Sequence, residues 1–452
     1  MRLHAAAALL PGGWARDVLI EADAAGIIEQ AEPNRAPGDA ERARGPVIPG
    51  MPNLHCHAFQ RALAGRTGRT DGGGDSFWTW RAAMYDFLDR VDADAFEAIA
   101  AQAYVEMLKA GYTAVAEFHY VHHDPAGRPY ADPAELARRI VAAASGAGIA
   151  LTLLPVLYAH AGFGGATATA GQRRFLHTVD SFARLYAILG AEAAACGFTV
   201  GVAPHSLRAV APDELAAIVA LASPAAPIHI HAAEQVREVT DCIAWSGSRP
   251  VEWLLDHADV DARWCVIHAT HVEGDELRRL ADSGAVAGLA PTTEADLGDG
   301  TFPAREYLDA DGALGIGSDS NTIIDPLAEL RQLEWSQRLA HSARNVLAVG
   351  NVPVGRALYQ RAAVAGAQAL AQPIGAIAVG RRADLVVLDG DHPALAELPA
   401  DDWLEAAIFG PCAHPVRDVM VGGRWVVRDG RHSCEADVFA RYRAAIAPVS
   451  AA

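Results

Sequence analysis

The sequence predicts an α/β fold, a (β/α)8 TIM-like barrel with a small β-sandwich module built from both chain ends. Three observations support this prediction. The chain has 452 residues, more than one hydrophobic core accommodates, so a large domain with a smaller module is expected. Short apolar runs alternate with longer helix-like stretches, as in a parallel sheet. The two chain ends instead carry alternating apolar runs punctuated by Gly and Asp, which is typical of short antiparallel strands.

Eight candidate strands follow one another through the middle of the chain. They are VIPGMPNLHCHAF, GYTAVAEFHY, IALTLLPVLYAH, FTVGVAPHS, PIHIHAAE, WCVIHATHV, AVAGLAP and ALGIGSDS. Eight strand–helix units over about 320 residues fit a barrel with loop insertions. We therefore assign residues 50–371 to the barrel and residues 1–49 with 372–452 to the small β module.

Local signals mark one helix and one loop. Apolar residues recur at helical spacing at Phe96, Ile99, Ala100, Ala103, Tyr104, Met107 and Leu108. Asp94 with Glu97 offers a capping box for this helix, and Gly111 offers a stop. The glycine run at 71–75 predicts a mobile loop near the barrel mouth, because a phosphate cradle would need a following helix with Lys-Ser/Thr.

The composition is that of a packed globular protein, with 51% apolar and 20% charged residues. The formal net charge of -18 and the lack of any Lys/Arg run argue against binding to nucleic acid or anionic membranes. An anionic small-molecule substrate would need local cations. The six cysteines form no CxxC pair and are expected to be reduced thiols. Since no secretory leader or membrane span is evident, a cytoplasmic location is expected.

Histidine and acidic residues lie at the predicted strand ends. His55 and His57 are two apart on a strand, so both face the same side while Cys56 faces the other. Such a pair alone proves little. However, His231, His268 and Asp319 end later strands, and strand carboxyl ends converge on one mouth of a barrel.

The convergence predicts a metal site formed by His55, His57, His231 and Asp319. Three imidazoles and a carboxylate suit Zn²⁺, or another divalent transition metal, at one ion per subunit. A further position remains for water, whose pKa can fall near 7 on such an ion. The chemistry expected is hydrolysis by a zinc-bound hydroxide.

Glu234 is the predicted proton shuttle, because it follows His231 by three residues and lies just beyond the strand end. Deamination must move a proton from water to a departing nitrogen. The alternative is a carboxylate that interacts with a helix N-terminus. We predict that His268 hydrogen-bonds the hydroxide or polarises the attacked group, and that Asp319 accepts a proton as well as binding metal.

These residues resemble the amidohydrolase superfamily in their order and spacing. No Lys ends the predicted fourth strand (GVAPHSLR), so the pattern is similar to the one-metal deaminase branch. Within that branch, PNLHCHAFQRALAG, DSFWTWR and VAPHSLRAV resemble the formimidoylglutamate deiminases of histidine degradation over essentially the whole chain. The resemblance implies conversion of N-formimidoyl-L-glutamate and water to N-formyl-L-glutamate and ammonia. It also suggests a homodimer. Cys56 departs from the expected Ser.

The resemblance also implies that Gln60, Tyr120, His205 and Arg208 contact the substrate. Two substrate carboxylates would need cations, and Arg208 and Arg81 are the candidates. For Arg81 the alternative is a surface guanidinium stacked on Trp78 or Trp80.

Several histidines have a structural interpretation, as barrel-layer or pocket-shaping residues. They are His119, His122, His123, His160, His229 and His271. Two rival functions stay open at this point. One is another mononuclear enzyme acting on guanine, cytosine, an adenosine derivative or a chlorotriazine. The other is a non-catalytic barrel scaffold, which would be expected to have lost its ligands.

Overall fold

The structure is a computed structural model that describes residues 1–68 and 75–450. The predicted mobile loop at the glycine run lies outside the described residues, apart from Asp75. The strands are β1 (Arg2–Leu10), β2 (Gly13–Ala22), β3 (Ile28–Glu32), β4 (Glu41–Arg42), β5 (Val47–Pro49), β6 (Met51–Cys56), β7 (Tyr112–His119), β8 (Ala150–Leu157), β9 (Thr199–Val200), β10 (Ala203–Pro204), β11 (Ile228–Ala232), β12 (Trp264–His268), β13 (Val286–Leu289), β14 (Ala313–Ile316), β15 (Leu385–Leu388), β16 (Val416–Val421), β17 (Arg424–Arg428) and β18 (Arg431–His432).

The helices alternate with strands through the middle of the chain. They are α1 (Phe77–Leu88), α2 (Ala93–Ala110), α3 (Glu135–Ala147), α4 (Val179–Cys196), α5 (Pro212–Leu221), α6 (Val236–Ser246), α7 (Pro250–His257), α8 (Gly274–Asp282), α9 (Pro291–Leu297), α10 (Ala304–Asp309), α11 (Pro326–His341), α12 (Val354–Leu370), α13 (Trp403–Phe409) and α14 (Glu435–Ser450). In the described part of the chain, no helix combines the length and apolar character needed to cross a membrane.

The central strands pair in parallel and in chain order, which gives a TIM-barrel-like arrangement. Pairing runs from β6 through β7 and β8 to β9 and β10, and separately from β11 through β14. Bridges from Val202 to Ile228 and from Ser206 to His231 join the first set to the second. A bridge from Cys56 to Asp319 closes the ring. Each of the eight predicted strand segments contains strand structure.

The apolar sequence of these strands explains their position. All eight residues of β7 are buried, as are all five of β11 and β12. Strands covered on both faces have near-continuous apolar sequences, because helices pack on one side and the barrel interior fills the other. Polar residues within them therefore need a specific partner or a function.

The two chain ends form one nine-stranded sheet, in which β5 pairs antiparallel with β15. One face of the sheet has its own apolar core, which includes Leu3, Ile20, Leu385 and Met420. The sheet also curls back on itself, because Ile27 bridges to Arg382 and the Trp425 indole N–H donates to Glu41 Oε2 at 3.0 Å.

The predicted helix at 96–108 is present as α2, but its N-cap differs from the prediction. Asp92 is the N-cap, and its carboxylate accepts from the Ala95 N–H at 2.8 Å. Asp94 lies inside the first turn, where it pairs with Arg139. The helix ends as predicted at Gly111, whose φ of 101° lies in the left-handed region.

Helices α13 and α14 were not expected from the strand-like pattern of residues 372–452. Helix α14 packs on barrel helix α2, where Lys109 Nζ lies 2.6 Å from Glu435 Oε2. The C-terminal segment therefore contacts the outside of the barrel as well as the sheet.

Candidate active site

The predicted metal ligands meet at the carboxyl ends of the barrel strands. His55 lies near the end of β6, and His57 directly follows that strand. His231 is on β11, and Asp319 lies three residues after β14. None of the four is more than 5% exposed.

Backbone hydrogen bonds hold the first and last strands of the ring together at this site. The His57 N–H donates to Asp319 O at 3.1 Å, and the Asp319 N–H donates to His55 O at 3.0 Å. Asn321 Nδ2 donates to the carbonyls of both His57 and Asp319 at 3.0 Å. Its Nδ2 is also 3.4 Å from Cys56 Sγ, so Cys56 contacts this support rather than the ligand cluster. Asp319 has a φ of 40°, an unfavourable conformation for a side-chain-bearing residue that the ring closure maintains.

The ligand atoms point at one another. His55 Nε2 lies 3.1 Å from His231 Nε2, and Asp319 Oδ1 lies 3.4 Å from His55 Nε2 and 3.5 Å from His57 Nε2. His57 Nδ1 donates to Phe118 O, and His231 Nδ1 donates to His205 O, each at 3.0 Å. The Nε2 atoms of His57 and His231 therefore carry lone pairs directed inward, and a cation would satisfy them.

The electrostatics favour the protonation states that bind metal. Burial lowers the pKa of His55 to about 3 and also lowers the pKa values of His57 and His231. Burial alone would raise the pKa of Asp319, but a hydrogen bond from His55 and the nearby imidazoles lower it. Neutral imidazoles with an ionised carboxylate are the forms required for coordination.

His268 lies beside this cluster as the last residue of β12. Two overlapping sets of side chains are close enough to hold an ion: His55 with His57 and Asp319, and His55 with His231 and His268. His268 Nε2 is 3.6 Å from Glu234 Oε1 and 3.9 Å from Asp319 Oδ2. Burial lowers its pKa, but the carboxylates of Glu234, Glu294 and Asp319 outweigh burial and raise the pKa to about 10.

Glu234 follows β11 and is 5% exposed. Its Oε2 lies 3.3 Å from Arg208 Nη2, and its N–H donates to Glu238 Oε2 at 3.1 Å. Burial raises the pKa of Glu234, although the charges of His268 and Arg208 act against this rise. A carboxylate beside a cluster of candidate metal ligands is placed to exchange protons with a reacting group, and a raised pKa favours that role.

A cavity of about 510 Å³ opens from this cluster, and all five predicted substrate contacts line it. They are Gln60, Arg81, Tyr120, His205 and Arg208. Gln60 Nε2 donates to Tyr120 Oη at 2.9 Å, and His205 Nδ1 hydrogen-bonds the Ser206 hydroxyl at 3.1 Å.

Arg81 stacks on Trp78, which was the alternative interpretation, and its role toward a substrate carboxylate stays a prediction. Its guanidinium carbon lies 4.5 Å from the centre of the Trp78 ring, and the residue also lines the cavity. Arg237 of helix α6 lies over the same ring at 4.7 Å. Sequence reasoning missed Arg237, because it follows its strand without any distinctive spacing.

Sequence reasoning also missed residues that support or line the site. They are Tyr158, Glu238, Trp245, Glu294 and Asp299. The EQVRE segment after β11 places Glu234 and Glu238 at helical spacing, and this is the one signal that could have indicated Glu238.

Among the residues that the structure describes, the other histidines are absent from the lining of this cavity. His229 Nε2 donates to Ala369 O at 2.8 Å, and His122 Nε2 donates to Val156 O at 3.0 Å. His160 pairs with Glu214 at 3.0 Å. His119, His123 and His271 are likewise absent from the described lining of the cavity. The backbone contacts of His229 and His122 fit a structural role, whereas the expectation that several of these histidines line the pocket is not met among the described residues.

A family model described as "Amidohydrolase family" matches residues 47–426, which is most of the chain. The chain belongs to the amidohydrolase family. A second family model, described as "Formimidoylglutamate deiminase HutF, N-terminal domain", matches residues 1–45. The two matches meet near the start of β5.

Three individual proteins are similar to nearly the whole chain. A formimidoylglutamate deiminase from Pseudomonas aeruginosa is 55% identical over 434 residues, which cover 96% of each chain. The crystal structure of an amidohydrolase from Brucella melitensis has a TM-score of 0.95 and 50% identity, and covers 99% of each chain. An adenosine deaminase from Xanthomonas campestris with bound zinc shares the fold, with a TM-score of 0.82, 20% identity and coverage of 100% of this chain and 98% of that one.

Proposed function

We propose that the chain hydrolyses N-formimidoyl-L-glutamate to N-formyl-L-glutamate and ammonia. The observation that carries this proposal is the 55% identity to the Pseudomonas aeruginosa formimidoylglutamate deiminase over 96% of both chains. The chemistry of the site supports it, because one cavity combines a cluster of candidate metal ligands, a buried carboxylate and arginine side chains.

The proposed cofactor is one Zn²⁺ held by His55, His57, His231 and Asp319. Inward-facing imidazole lone pairs and an ionised carboxylate are a donor set that suits this ion. When bound, zinc would lower the pKa of a water molecule and supply a nucleophile at neutral pH. His268 is left outside the proposed ligand set, since its Nδ1 contacts Glu294 and its Nε2 faces Glu234.

Glu234 is the proposed proton shuttle. Water adds to the formimidoyl carbon, and Glu234 accepts a proton from that water. The formimidoyl group enters as an amidinium cation, so the terminal nitrogen is an NH2 group once water has added. The same carboxylate delivers its proton to that NH2 group, the C–N bond breaks and ammonia leaves. His268, at 3.6 Å from Glu234, would stabilise the developing negative oxygen with its Nε2–H, and Asp319 would accept the remaining proton.

Arg208 is the proposed main anchor for a substrate carboxylate. It is buried beside Glu234 and Glu238, whose charges outweigh burial and raise its pKa. Among the described residues, its Nε has no hydrogen-bond partner. Gln60, Tyr120 and His205 would complete the polar contacts, and Arg81 would face the second carboxylate.

The remaining expectations are also proposals. We assign residues 50–371 to the catalytic (β/α)8 barrel and residues 1–49 with 372–452 to a β-sandwich module. The contact between Trp425 and Glu41 supports a sheet folded onto itself. A cytoplasmic location agrees with six free cysteines. The homodimer stays a prediction.

The deciding experiment is ammonia release by the zinc-loaded protein from formimidoyl-L-glutamate, with formimidoyl-L-aspartate and guanine as comparisons. We expect turnover of formimidoyl-L-glutamate and none of guanine. Activity on guanine alone would contradict the proposed substrate while leaving the family membership intact.

A further inference from the structure

Glu294 lies behind the candidate active site, on the side of His268 that faces away from the ligand cluster. The residue is on helix α9 and is 5% exposed. Its Oε1 accepts from His268 Nδ1 at 3.3 Å and from the Ala290 N–H at 3.0 Å. The same carboxylate oxygen therefore connects the start of α9 to the His268 ring.

Helix α9 is itself anchored by a second buried carboxylate. Glu329, which is 0% exposed, accepts from the Thr292 N–H at 2.9 Å and from the Thr292 hydroxyl. The Asp299 N–H closes the other end of the segment by donating to Glu294 O at 2.9 Å. Glu294 thus projects from a backbone that is fixed on both sides.

The strand alone does not fix the His268 ring. His268 has a φ of 67° and Ala269 a φ of 49°, so regular strand geometry ends at this point. The imidazole can also rotate about its side-chain bonds, and a hydrogen bond at one ring nitrogen determines where the other nitrogen points. A carboxylate acceptor at Nδ1 leaves Nε2 to face the reacting centre.

We propose that Glu294 is a positioning residue, whose carboxylate holds Nδ1 of His268 and thereby directs Nε2 toward Glu234 and Asp319. This inference rests on the proposed function for its kinetic consequence. Its geometric part, the orientation of the His268 ring, is independent of the substrate.

The test compares Glu294→Gln and Glu294→Leu with Glu329→Gln as a matched control. The Gln variant keeps a neutral acceptor of the same shape, whereas Leu removes the acceptor. Glu329→Gln perturbs the same helix through Thr292, and Glu329 is not among the described residues that line the cavity. Steady-state kinetics on formimidoyl-L-glutamate, zinc content and the unfolding temperature are measured for each zinc-loaded variant.

We expect kcat to fall about tenfold in Glu294→Gln and about 100-fold in Glu294→Leu, the range found for outer hydrogen-bond partners of site histidines. KM and zinc content should stay near those of the parent protein, and Glu329→Gln should keep its kcat. Equal losses of kcat in Glu294→Gln and Glu329→Gln, or losses that parallel zinc content, would overturn the proposal in favour of a structural role.

A crystal structure of zinc-loaded Glu294→Leu supplies the readout that does not depend on activity. The proposal requires the His268 ring to rotate, so that Nε2 leaves its position 3.6 Å from Glu234 Oε1. An unrotated ring would overturn it. If the parent protein failed to turn over formimidoyl-L-glutamate, the proposed function would fail, and the ring orientation would still decide the role of Glu294.

Discussion

At the scale of single residues, the site places cationic groups inside a strongly acidic protein. The chain has a formal net charge of -18, yet Arg81, Arg208 and Arg237 all line one cavity. Arg208 pairs with Glu234 and Glu238, whose carboxylates stabilise its charge. In the proposed function, an anionic substrate would replace part of this pairing with a charge-assisted hydrogen bond to Arg208.

Substitution of Arg208 should therefore weaken substrate binding. We expect Arg208→Gln to lower kcat/KM for formimidoyl-L-glutamate about 10- to 100-fold, because a charged hydrogen bond contributes about 1.5–3 kcal/mol. The exposed Arg278, which pairs with Asp275 on the surface, provides the control Arg278→Gln. Steady-state kinetics with both variants make the comparison. Unchanged kcat/KM in Arg208→Gln would remove Arg208 from the substrate site.

Substitution of Glu234 should affect chemistry rather than metal binding. We expect Glu234→Gln to lower kcat by about 10²–10⁴-fold, since proton transfer by a positioned group contributes that much. Zinc content should be retained, because Glu234 is not among the proposed ligands. Kinetics and metal analysis on the same preparation test both statements. A near-normal rate in this variant would mean that another group carries the proton.

The residues predictable from sequence are those placed by strand periodicity. The two-residue spacing of His55 and His57 determines a common face, and His231 and Asp319 follow because strand ends converge. Glu294 was not predictable, because it approaches His268 from a helix 26 residues later and no spacing rule relates the two. Arg237 was missed for the same reason, since its contact with Trp78 joins two helices, α6 and α1, that no spacing rule relates.

At the scale of elements, strand positions followed from the sequence better than helix ends did. The apolar runs that predicted the barrel strands all contain strand structure, because burial on two faces requires them. The predicted N-cap of α2, Asp94, was wrong by two residues, since Asp92 and Asp94 are both residue types that cap helices. Only the extended backbone of Asp92, with φ -80° and ψ -179°, decides between them.

Because Asp92 is the N-cap, substitutions of Asp92 and Asp94 should lower the free energy of unfolding by different amounts. Asp92→Ala removes the acceptor for the Ala95 N–H and should lower the free energy of unfolding by about 1 kcal/mol. Asp94→Ala removes only an exposed pair with Arg139 and should cost about 0.5 kcal/mol or less. Denaturant unfolding of both variants measures the difference. If Asp94→Ala lowered the free energy of unfolding more than Asp92→Ala did, the capping box expected from the sequence would be supported instead.

At the scale of the whole molecule, the two chain ends and the barrel depend on each other. Strand β5 pairs with β15, and Arg90 Nη1 beside α1 donates to Val449 O at 3.3 Å. Contacts between residues more than 300 positions apart could not be derived from local periodicity. The sequence pattern predicted that both ends form a β module, but helix α14 and its packing on α2 emerge only from the assembled fold.

A layer of buried histidines outside the catalytic cavity should determine acid stability. His119 and His122 have ring centres 5.1 Å apart, and His122 and His177 have ring centres 4.4 Å apart. Burial lowers the pKa of His119 to about 3 and that of His177 to about 4, and lowers the pKa of His122 as well. Between pH 6.5 and these values the unfolded chain binds protons that the folded chain does not. Stability is therefore full above pH 6.5 and is lost as the pH falls.

Substitution of His119 tests this predicted loss of stability at acid pH most directly. Among the described residues, neither of its ring nitrogens has a hydrogen-bond partner, and the ring packs on Phe96 at 6.0 Å. Because His119→Phe removes a group that the unfolded chain protonates, the variant should gain about 1.4 kcal/mol over the parent for each pH unit below 6.5. Unfolding measured at pH 5 and pH 8 tests this, and the pH 8 comparison isolates the change in packing. If the difference in the free energy of unfolding between variant and parent were the same at pH 5 and pH 8, His119 would not contribute to the loss of stability in acid.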